Sequence, residues 1–152
     1  MRHRLALLVG TVFALAACHP AAPPAANGAP AATSQVDRLT IIDTRLGTGA
    51  VARPGMTVSV LYTGWLYDAA TRDKHGAKFD STADHGGGPF AFPLGQGLVI
   101  EGWDKGVAGM RVGGERTLLI PAAQGYGSRG AGGVIPPGAS LVFDVRLVGV
   151  TP

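Results

Sequence analysis

The sequence predicts an α+β domain in which an antiparallel β-sheet of about five to six strands wraps around one short α-helix. Gly supplies 24 and Pro 11 of the 152 residues, so turns should be frequent and long helices scarce. Large apolar residues alternate along several segments, whereas one segment carries them at helical spacing. The connections between strand segments are mostly too short for repeated helical crossovers, which favours an antiparallel sheet.

The strands are predicted from alternation of apolar and polar residues. Residues 57–63 and 141–147 alternate most regularly, as half-buried strands do. Shorter β-rich runs bounded by Gly or Pro predict further strands over residues 41–45, 90–92 and 116–120. The side chains expected on the buried face of the two longer strands are Val58, Val60, Tyr62, Leu141, Phe143, Val145 and Leu147.

One short helix is predicted over residues 100–108. Gly102 and Gly106 each cost about 1 kcal/mol relative to Ala, so this helix would be unstable alone. We expect packing of Trp103 onto the sheet to hold it. The apolar residues that recur at three-to-four-residue spacing are Ile100, Trp103, Val107 and Met110.

The first 18 residues have the pattern of a targeting signal. A basic start precedes an apolar run over residues 5–17, and this run of about 13 residues suits a signal peptide but is too short to span a bilayer. The sequence Leu-Ala-Ala-Cys that ends at Cys18 resembles the lipobox of bacterial lipoproteins. We therefore expect a lipoprotein signal peptide over residues 1–17 and lipidation of Cys18. The alternatives are a buried hydrophobic helix, ordinary signal cleavage nearby, and an incidental cysteine.

A tether and one compact domain are predicted to follow. Residues 18–35 are rich in Ala and Pro with almost no large apolar side chain, so we expect a flexible tether. Residues 36–152 are enough for a single core. Removing Arg2 and Arg4 with the signal lowers the count of basic residues from 13 to 11, against 10 acidic ones. Because the remaining basic residues do not cluster, no nucleic-acid binding is predicted.

Several kinds of catalytic site are excluded. A single cysteine cannot form an internal disulfide, a four-cysteine zinc site or an iron–sulfur cluster. His75 and His85 lie in a region predicted to be a loop, so we expect solvated histidines and no metal site. No serine stands in a Gly-x-Ser-x-Gly motif, and the few carboxylates form no convincing glycosidase pair.

The remaining feature of the sequence that could form a site is a set of aromatic and branched residues near predicted turns. A small domain cannot bury all of them around one short helix, so some are expected to line an apolar cavity. Taken singly, each residue is also explained by an ordinary place in the core. The residues concerned are Tyr62, Phe79, Phe90, Phe92, Val99, Ile100, Trp103, Tyr126, Ile135 and Phe143.

Read together, these segments resemble the FKBP-type peptidyl-prolyl cis-trans isomerases. The resemblance covers residues 39–150 and consists of many separate blocks in the same order, which is more specific than any short motif. The family fold, an antiparallel sheet around a short helix, agrees with the fold that the periodicities predict. The matching blocks are VLYTG at 60–64, KFDST at 78–82, PFAF at 89–92, GLVIEGWD at 97–104, YG at 126–127, GVIPP at 133–137 and LVFDV at 141–145.

The resemblance implies a noncovalent enzyme that needs no cofactor or metal. Asp80, Tyr126 and the backbone N–H of Ile100 would be its hydrogen-bonding groups, with Asp80 and Tyr126 as catalytic residues. A dry pocket that accepts the twisted amide better than either planar form accelerates both directions of rotation. Its partners would be proline-containing polypeptides and macrolide inhibitors such as rapamycin. The implied substrate-binding residues are Trp103 as floor, Tyr62, Phe90, Val99, Ile100 and Phe143 as walls, and Phe79 with Ile135 beside the rotating bond.

The sequence departs from the family pattern in three places, of which one is the loop of residues 128–132 after Tyr126, expected to be small and flexible. A polar insertion over residues 67–77 is expected to extend a loop between strands. The arginine that often pairs with the family aspartate is missing, and residues 82–86 offer only His85 near Asp80.

Three functions follow from these observations. The first is an exported isomerase that assists protein folding and is lipid-anchored to a bacterial membrane. If the host has two membranes, His19 after the cysteine favours the outer one; the expected location is the outer membrane facing the periplasm, with exposure on the cell surface left open. The second is a proline-recognising binding module with little turnover. The third is a structural spacer, which gives no reason to retain both Trp103 and Tyr126.

Overall fold

A computed structural model of the protein describes residues 35–152. The predicted signal peptide of residues 1–17, the predicted lipidation site Cys18 and the predicted tether up to residue 34 lie outside the described residues. Within residues 35–152, no helix is long and apolar enough to cross a membrane.

Six strands and one α-helix make up the regular structure of the described residues. They are β1 (Thr40–Arg45), β2 (Thr57–Tyr67), β3 (His75–Ser81), β4 (Phe90–Pro93), α1 (Glu101–Val107), β5 (Glu115–Ile120) and β6 (Leu141–Thr151). Three 3-10 helices occupy Thr82–His85, Ala122–Gln124 and Gly127–Arg129. The sheet order is β1-β5-β6-β2-β3, all neighbours are antiparallel, and β4 pairs with the first half of β2.

The predicted α+β fold is confirmed, including its antiparallel sheet and its helix. The two strands predicted from the most regular alternation are the central pair, β2 and β6, and both extend further than predicted. The alternation has the predicted effect, because Leu141, Val145 and Leu147 are fully buried while Arg146 is exposed. The core lies between this face of the sheet and α1.

One strand, β3, was not predicted from the sequence. It has the sequence HGAKFDS, in which Phe79 is the single large apolar residue, so no alternation was visible. Most of the polar insertion forms the loop that connects β2 to β3, residues 68–74, as expected, while its two ends belong to the strands, since β2 runs to Tyr67 and β3 begins at His75. His75 is accordingly not a solvated loop residue: its ring stacks on Trp65 with centroids 3.8 Å apart.

Two glycines explain how α1 approaches the sheet so closely. A Cβ atom on Gly102 would lie 2.5 Å from Cγ2 of Ile120, and one on Gly106 would lie 2.7 Å from Cδ1 of Leu118. The residues that weaken the helix in isolation therefore allow its contact with β5. The same contact brings Trp103 onto the sheet, where it is 4% exposed.

Arg116 fixes the end of α1. Its Nη1 donates to the carbonyl oxygens of Gly106 at 2.8 Å and Ala108 at 3.0 Å, and its Nε donates to Oδ1 of Asp43 at 2.6 Å. A cation at the C-terminus of a helix satisfies free carbonyls and complements the helix dipole. The helix is thus tied to β1 and β5 by one guanidinium, whose side chain is 12% exposed.

We expect Gly106→Ala to lower the free energy of unfolding by about 1 kcal/mol. Overpacking a close contact typically costs about 1–3 kcal/mol, which opposes and exceeds the gain of about 1 kcal/mol in helix propensity. Denaturant unfolding measures the change. Gly88→Ala is the control, because a Cβ there meets nothing within 4 Å. A Gly106→Ala protein more stable than the wild type would contradict this account of helix packing.

Candidate active site

An aromatic cavity of about 420 Å³ opens between α1 and the concave face of the sheet. A groove of about 470 Å³ is slightly larger, but it is lined by outward-facing polar residues such as Thr63, Asp144 and Arg146 and has no aromatic cluster. Small-molecule and peptide sites are mostly apolar with a few polar groups, so the aromatic cavity is the better candidate. Its lining residues are Tyr62, Phe79, Asp80, Phe90, Gly97, Leu98, Val99, Ile100, Trp103, Tyr126 and Phe143.

Trp103 forms the floor of the cavity. It projects from the first turn of α1, and its ring meets those of Tyr62 and Phe143 edge-to-face, with centroids 4.8 Å and 5.2 Å apart. Phe92 packs beside it at 5.5 Å. Each such aromatic pair contributes about 0.5–1.5 kcal/mol in addition to the free energy gained by burying the two rings. The indole is therefore fixed in place before any ligand enters.

A glycine on β2 makes room for one wall. Phe79 and Phe143 meet edge-to-face with centroids 5.4 Å apart. A Cβ atom on Gly64 would lie 2.7 Å from both rings, so only a glycine permits this pair beside β2. Phe90 also lines the cavity and is 44% exposed.

Asp80 lies at the rim of the cavity with both carboxylate oxygens bound. The hydroxyl of Tyr62 donates to Oδ2 at 2.6 Å, and the N–H of Ser81 donates to Oδ1 at 2.8 Å. Burial is the largest influence and acts to raise the pKa of Asp80, but the hydrogen bonds to the carboxylate together outweigh it and lower that pKa. Burial, followed by the bond to Asp80, raises the pKa of Tyr62. The pair is therefore an ionised carboxylate and a neutral phenol at ordinary pH.

His85 supplies the third hydrogen bond to Asp80. Its Nε2 lies 2.8 Å from Oδ1 of the carboxylate. The 3-10 helix Thr82–His85 brings the ring back over the end of β3, with Ser81 capping its start and Gly86 in a left-handed conformation at its end. An imidazole therefore lies beside Asp80, where the family pattern often has an arginine.

Two further donors face the cavity. Burial of Tyr126 raises the pKa of its hydroxyl, and the negative charge of nearby Asp80 raises that pKa further. Ile100 immediately precedes α1, and among residues 35–152 no backbone carbonyl accepts its N–H. Both groups are available to a bound peptide.

Asp104 holds the wall that precedes α1. Its two carboxylate oxygens accept the N–H groups of Gly95 at 2.8 Å and Gly97 at 2.9 Å. These bonds fold residues 94–100 against the start of the helix, and Val99 and Ile100 then line the cavity. The sequence analysis did not identify this role, which depends on the folded loop.

The predicted site residues come together with one exception. Ile135 does not line the cavity but is 5% exposed and packs in the core. Gly97 and Leu98 line the cavity although they were not predicted; the signal was their place in the matching block at 97–104, beside Val99 and Ile100. Within residues 35–152, no group of three or more His, Cys, Asp or Glu side chains is placed to hold a metal ion.

Comparison with known proteins identifies close relatives of this chain. A family model described as FKBP-type peptidyl-prolyl cis-trans isomerase matches residues 49–148. An FK506-binding protein of Neisseria meningitidis is 49% identical over 112 residues, covering 74% of this chain and 95% of the relative. The peptidyl-prolyl cis-trans isomerase FPR2 of Saccharomyces cerevisiae is 54% identical over 99 residues, covering 65% of this chain and 68% of the relative.

Two solved structures resemble the fold of this chain. The crystal structure of AtFKBP13 aligns with a TM-score of 0.64 at 35% identity, covering 77% of this chain and 96% of that one. The crystal structure of FkpA from Escherichia coli aligns with a TM-score of 0.63 at 36% identity, covering 75% of this chain and 48% of that one.

Proposed function

This chain belongs to the family of FKBP-type peptidyl-prolyl cis-trans isomerases, and on that premise we propose that its aromatic cavity binds Xaa-Pro segments of exported proteins and assists their folding. Peptidyl-prolyl cis-trans isomerisation is the activity of the enzyme. The observation that carries the proposal is the fixed Trp103 floor beneath a rim that holds Asp80 and Tyr126.

Substrate binding uses the apolar part of the cavity. The proline ring lies on Trp103, between the walls formed by Tyr62, Phe90 and Phe143. These side chains remove the ring from water, and burial of apolar area contributes roughly 25 cal/mol per Å². Because the rings already pack against one another, little ordering is needed on binding.

Catalysis uses the difference between planar and twisted amides. Rotation about the amide bond faces a barrier of about 18–20 kcal/mol, since it breaks resonance between nitrogen and carbonyl. In the twisted state the nitrogen lone pair is localised and the carbonyl is ketone-like, so the charge distribution changes. Asp80, Tyr126 and the N–H of Ile100 are fixed polar groups that favour this distribution over either planar form. No covalent bond to the protein is formed or broken.

Macrolides such as FK506 and rapamycin are proposed ligands of the same cavity. The support is the name of the Neisseria meningitidis relative, an FK506-binding protein. Since the lining serves both ligands, a macrolide should compete with a Xaa-Pro peptide for the floor at Trp103.

Assistance to folding is tested with an exported protein whose refolding is limited by proline isomerisation. Such phases take tens of seconds or longer without a catalyst. Catalytic amounts of the full chain should shorten the slow phase and leave the fast phases unchanged. An unchanged slow phase, alongside activity on short peptides, would contradict the proposed folding role.

We also propose that the protein is exported and anchored by a lipid at Cys18 to the outer membrane, facing the periplasm. The support is the apolar run and the Leu-Ala-Ala-Cys sequence. Cys18→Ser should leave the chain unprocessed or move it out of the membrane fraction, as fractionation and mass spectrometry of the mature N-terminus would show. Ser34→Ala, in the tether, is the control. Unchanged membrane association of Cys18→Ser with a mature start elsewhere would contradict the proposal.

A further inference from the structure

The catalytic carboxylate proposed above has a partner that can change its charge. His85 Nε2 lies 2.8 Å from Oδ1 of Asp80, and the imidazole is 69% exposed at the cavity rim. An imidazole is the one side chain that ordinarily gains or loses charge between pH 5 and 8. Contact with Asp80 therefore depends on pH in a way that contact with an arginine would not.

We propose that His85 is a positioning residue that orients Asp80 and makes the isomerisation rate depend on pH in the neutral range. The inference rests on the proposed role of Asp80. Protonated His85 holds Oδ1 by a charge-assisted bond, while Tyr62 holds Oδ2. When the imidazole loses its proton it can still donate one hydrogen bond, but the attraction between opposite charges is lost.

The hydrogen bonds to Asp80 show where a change at His85 acts. Oδ1 accepts the N–H of Ser81 and lies 2.8 Å from Nε2 of His85, whereas Oδ2 accepts the hydroxyl of Tyr62. His85 belongs to the 3-10 helix Thr82–His85, and its side chain is exposed. Loss of its charge weakens one of the two interactions at Oδ1, so the carboxylate is held less firmly in its orientation.

Other charged and titratable groups lie near His85 and Asp80. On β3, Lys78 pairs with Asp84 of the 3-10 helix, with Nζ 2.9 Å from each carboxylate oxygen. The pKa of Asp80 is lowered and the pKa values of Tyr62 and Tyr126 are raised, so all three move away from this range.

The wild-type full chain should therefore lose activity as pH rises. We expect kcat/KM for a short Xaa-Pro peptide to fall by about two- to fivefold between pH 5.5 and 8.5, the change appropriate to one exposed ion pair. The uncatalysed rate of the same peptide is measured at each pH and subtracted.

Two substitutions at His85 separate charge from shape. His85→Arg keeps a positive charge throughout and should give a flat profile at the acidic wild-type rate. His85→Gln can donate a hydrogen bond but has no charge, so its profile should be flat at the lower, alkaline rate. Rescue by Arg and not by Gln is a result that a merely structural role would not produce.

His75→Gln is the matched histidine control. His75 stacks on Trp65 and lies within 3.5 Å of Asp144, away from the cavity lining. Its substitution should leave the pH profile intact. The proposal would be overturned if His75→Gln abolished the pH dependence of kcat/KM. It would also be overturned if both His85 variants kept the wild-type pH profile.

The failure of this inference is distinguishable from failure of the proposed function. An impaired Asp80→Asn protein together with His85 variants that match the wild type would overturn only the role of His85. An Asp80→Asn protein with full activity would overturn the role of Asp80 and this inference with it. A rate that rises with pH in the wild type, and is lowest in His85→Arg, would also overturn the proposal, because the positive charge would then oppose catalysis.

Discussion

Asp80→Asn is expected to lower kcat/KM for a short Xaa-Pro peptide by about 5- to 150-fold. This is the effect of losing one transition-state interaction worth about 1–3 kcal/mol. Asn retains the shape of the side chain and an oxygen that accepts the Tyr62 hydroxyl, but it has no charge. Peptide affinity should change little, because the apolar contacts with Trp103 are untouched. The rate is measured as cis-to-trans relaxation of the peptide.

Asp84→Asn is the matched control for this result. Asp84 lies four residues after Asp80, in the 3-10 helix that follows β3, but its carboxylate pairs with Lys78 and does not line the cavity. This exposed pair should contribute little, so the control should keep the wild-type rate. Equal activity of Asp80→Asn and Asp84→Asn would contradict the catalytic role of the Asp80 carboxylate.

Trp103→Leu is expected to weaken peptide binding and also destabilise the fold. The substitution removes the floor that contacts proline in every state of the reaction, so the loss should appear mainly in affinity. It also leaves a void among Tyr62, Phe92 and Phe143, which we expect to cost about 2–4 kcal/mol of unfolding free energy. Calorimetric titration with a Xaa-Pro peptide and denaturant unfolding measure the two effects.

A second variant keeps this prediction independent of stability. Trp103→Phe retains an aromatic floor and should fold, while binding the peptide more weakly than the wild type. Trp65→Phe is the control, since Trp65 stacks on His75 and does not line the cavity. Undiminished affinity in Trp103→Phe and Trp103→Leu would show that proline binds elsewhere.

The fold was predictable where a single physical pattern dominated a segment. Strict alternation identified the central strands β2 and β6, and three-to-four-residue spacing identified α1. The strand β3 was missed because it is stabilised by pairing with β2 and by buried Ser81 at its end, and neither produces an apolar period. The role of Gly102 was likewise invisible, since it depends on the approach of Ile120 from another strand.

Most residues of the site could be predicted from the sequence, but their arrangement in the cavity could not. Resemblance to the family supplied Trp103 and Asp80, because these residue types sit in distinctive blocks. It placed Ile135 at the rotating bond, whereas that side chain packs in the core. The contact between His85 and Asp80 requires one turn of 3-10 helix, whose geometry follows from the caps at Ser81 and Gly86 rather than from spacing alone.

Exchange NMR tests most directly whether the cavity favours the twisted amide. The sample contains a Xaa-Pro peptide and catalytic amounts of the full chain. The experiment measures the cis-to-trans and trans-to-cis rates in one sample at equilibrium. We predict that both rates rise by the same factor and that the ratio of cis to trans stays unchanged. Saturable binding of the peptide with no rise in either rate would contradict the account and favour a proline-recognising binding module.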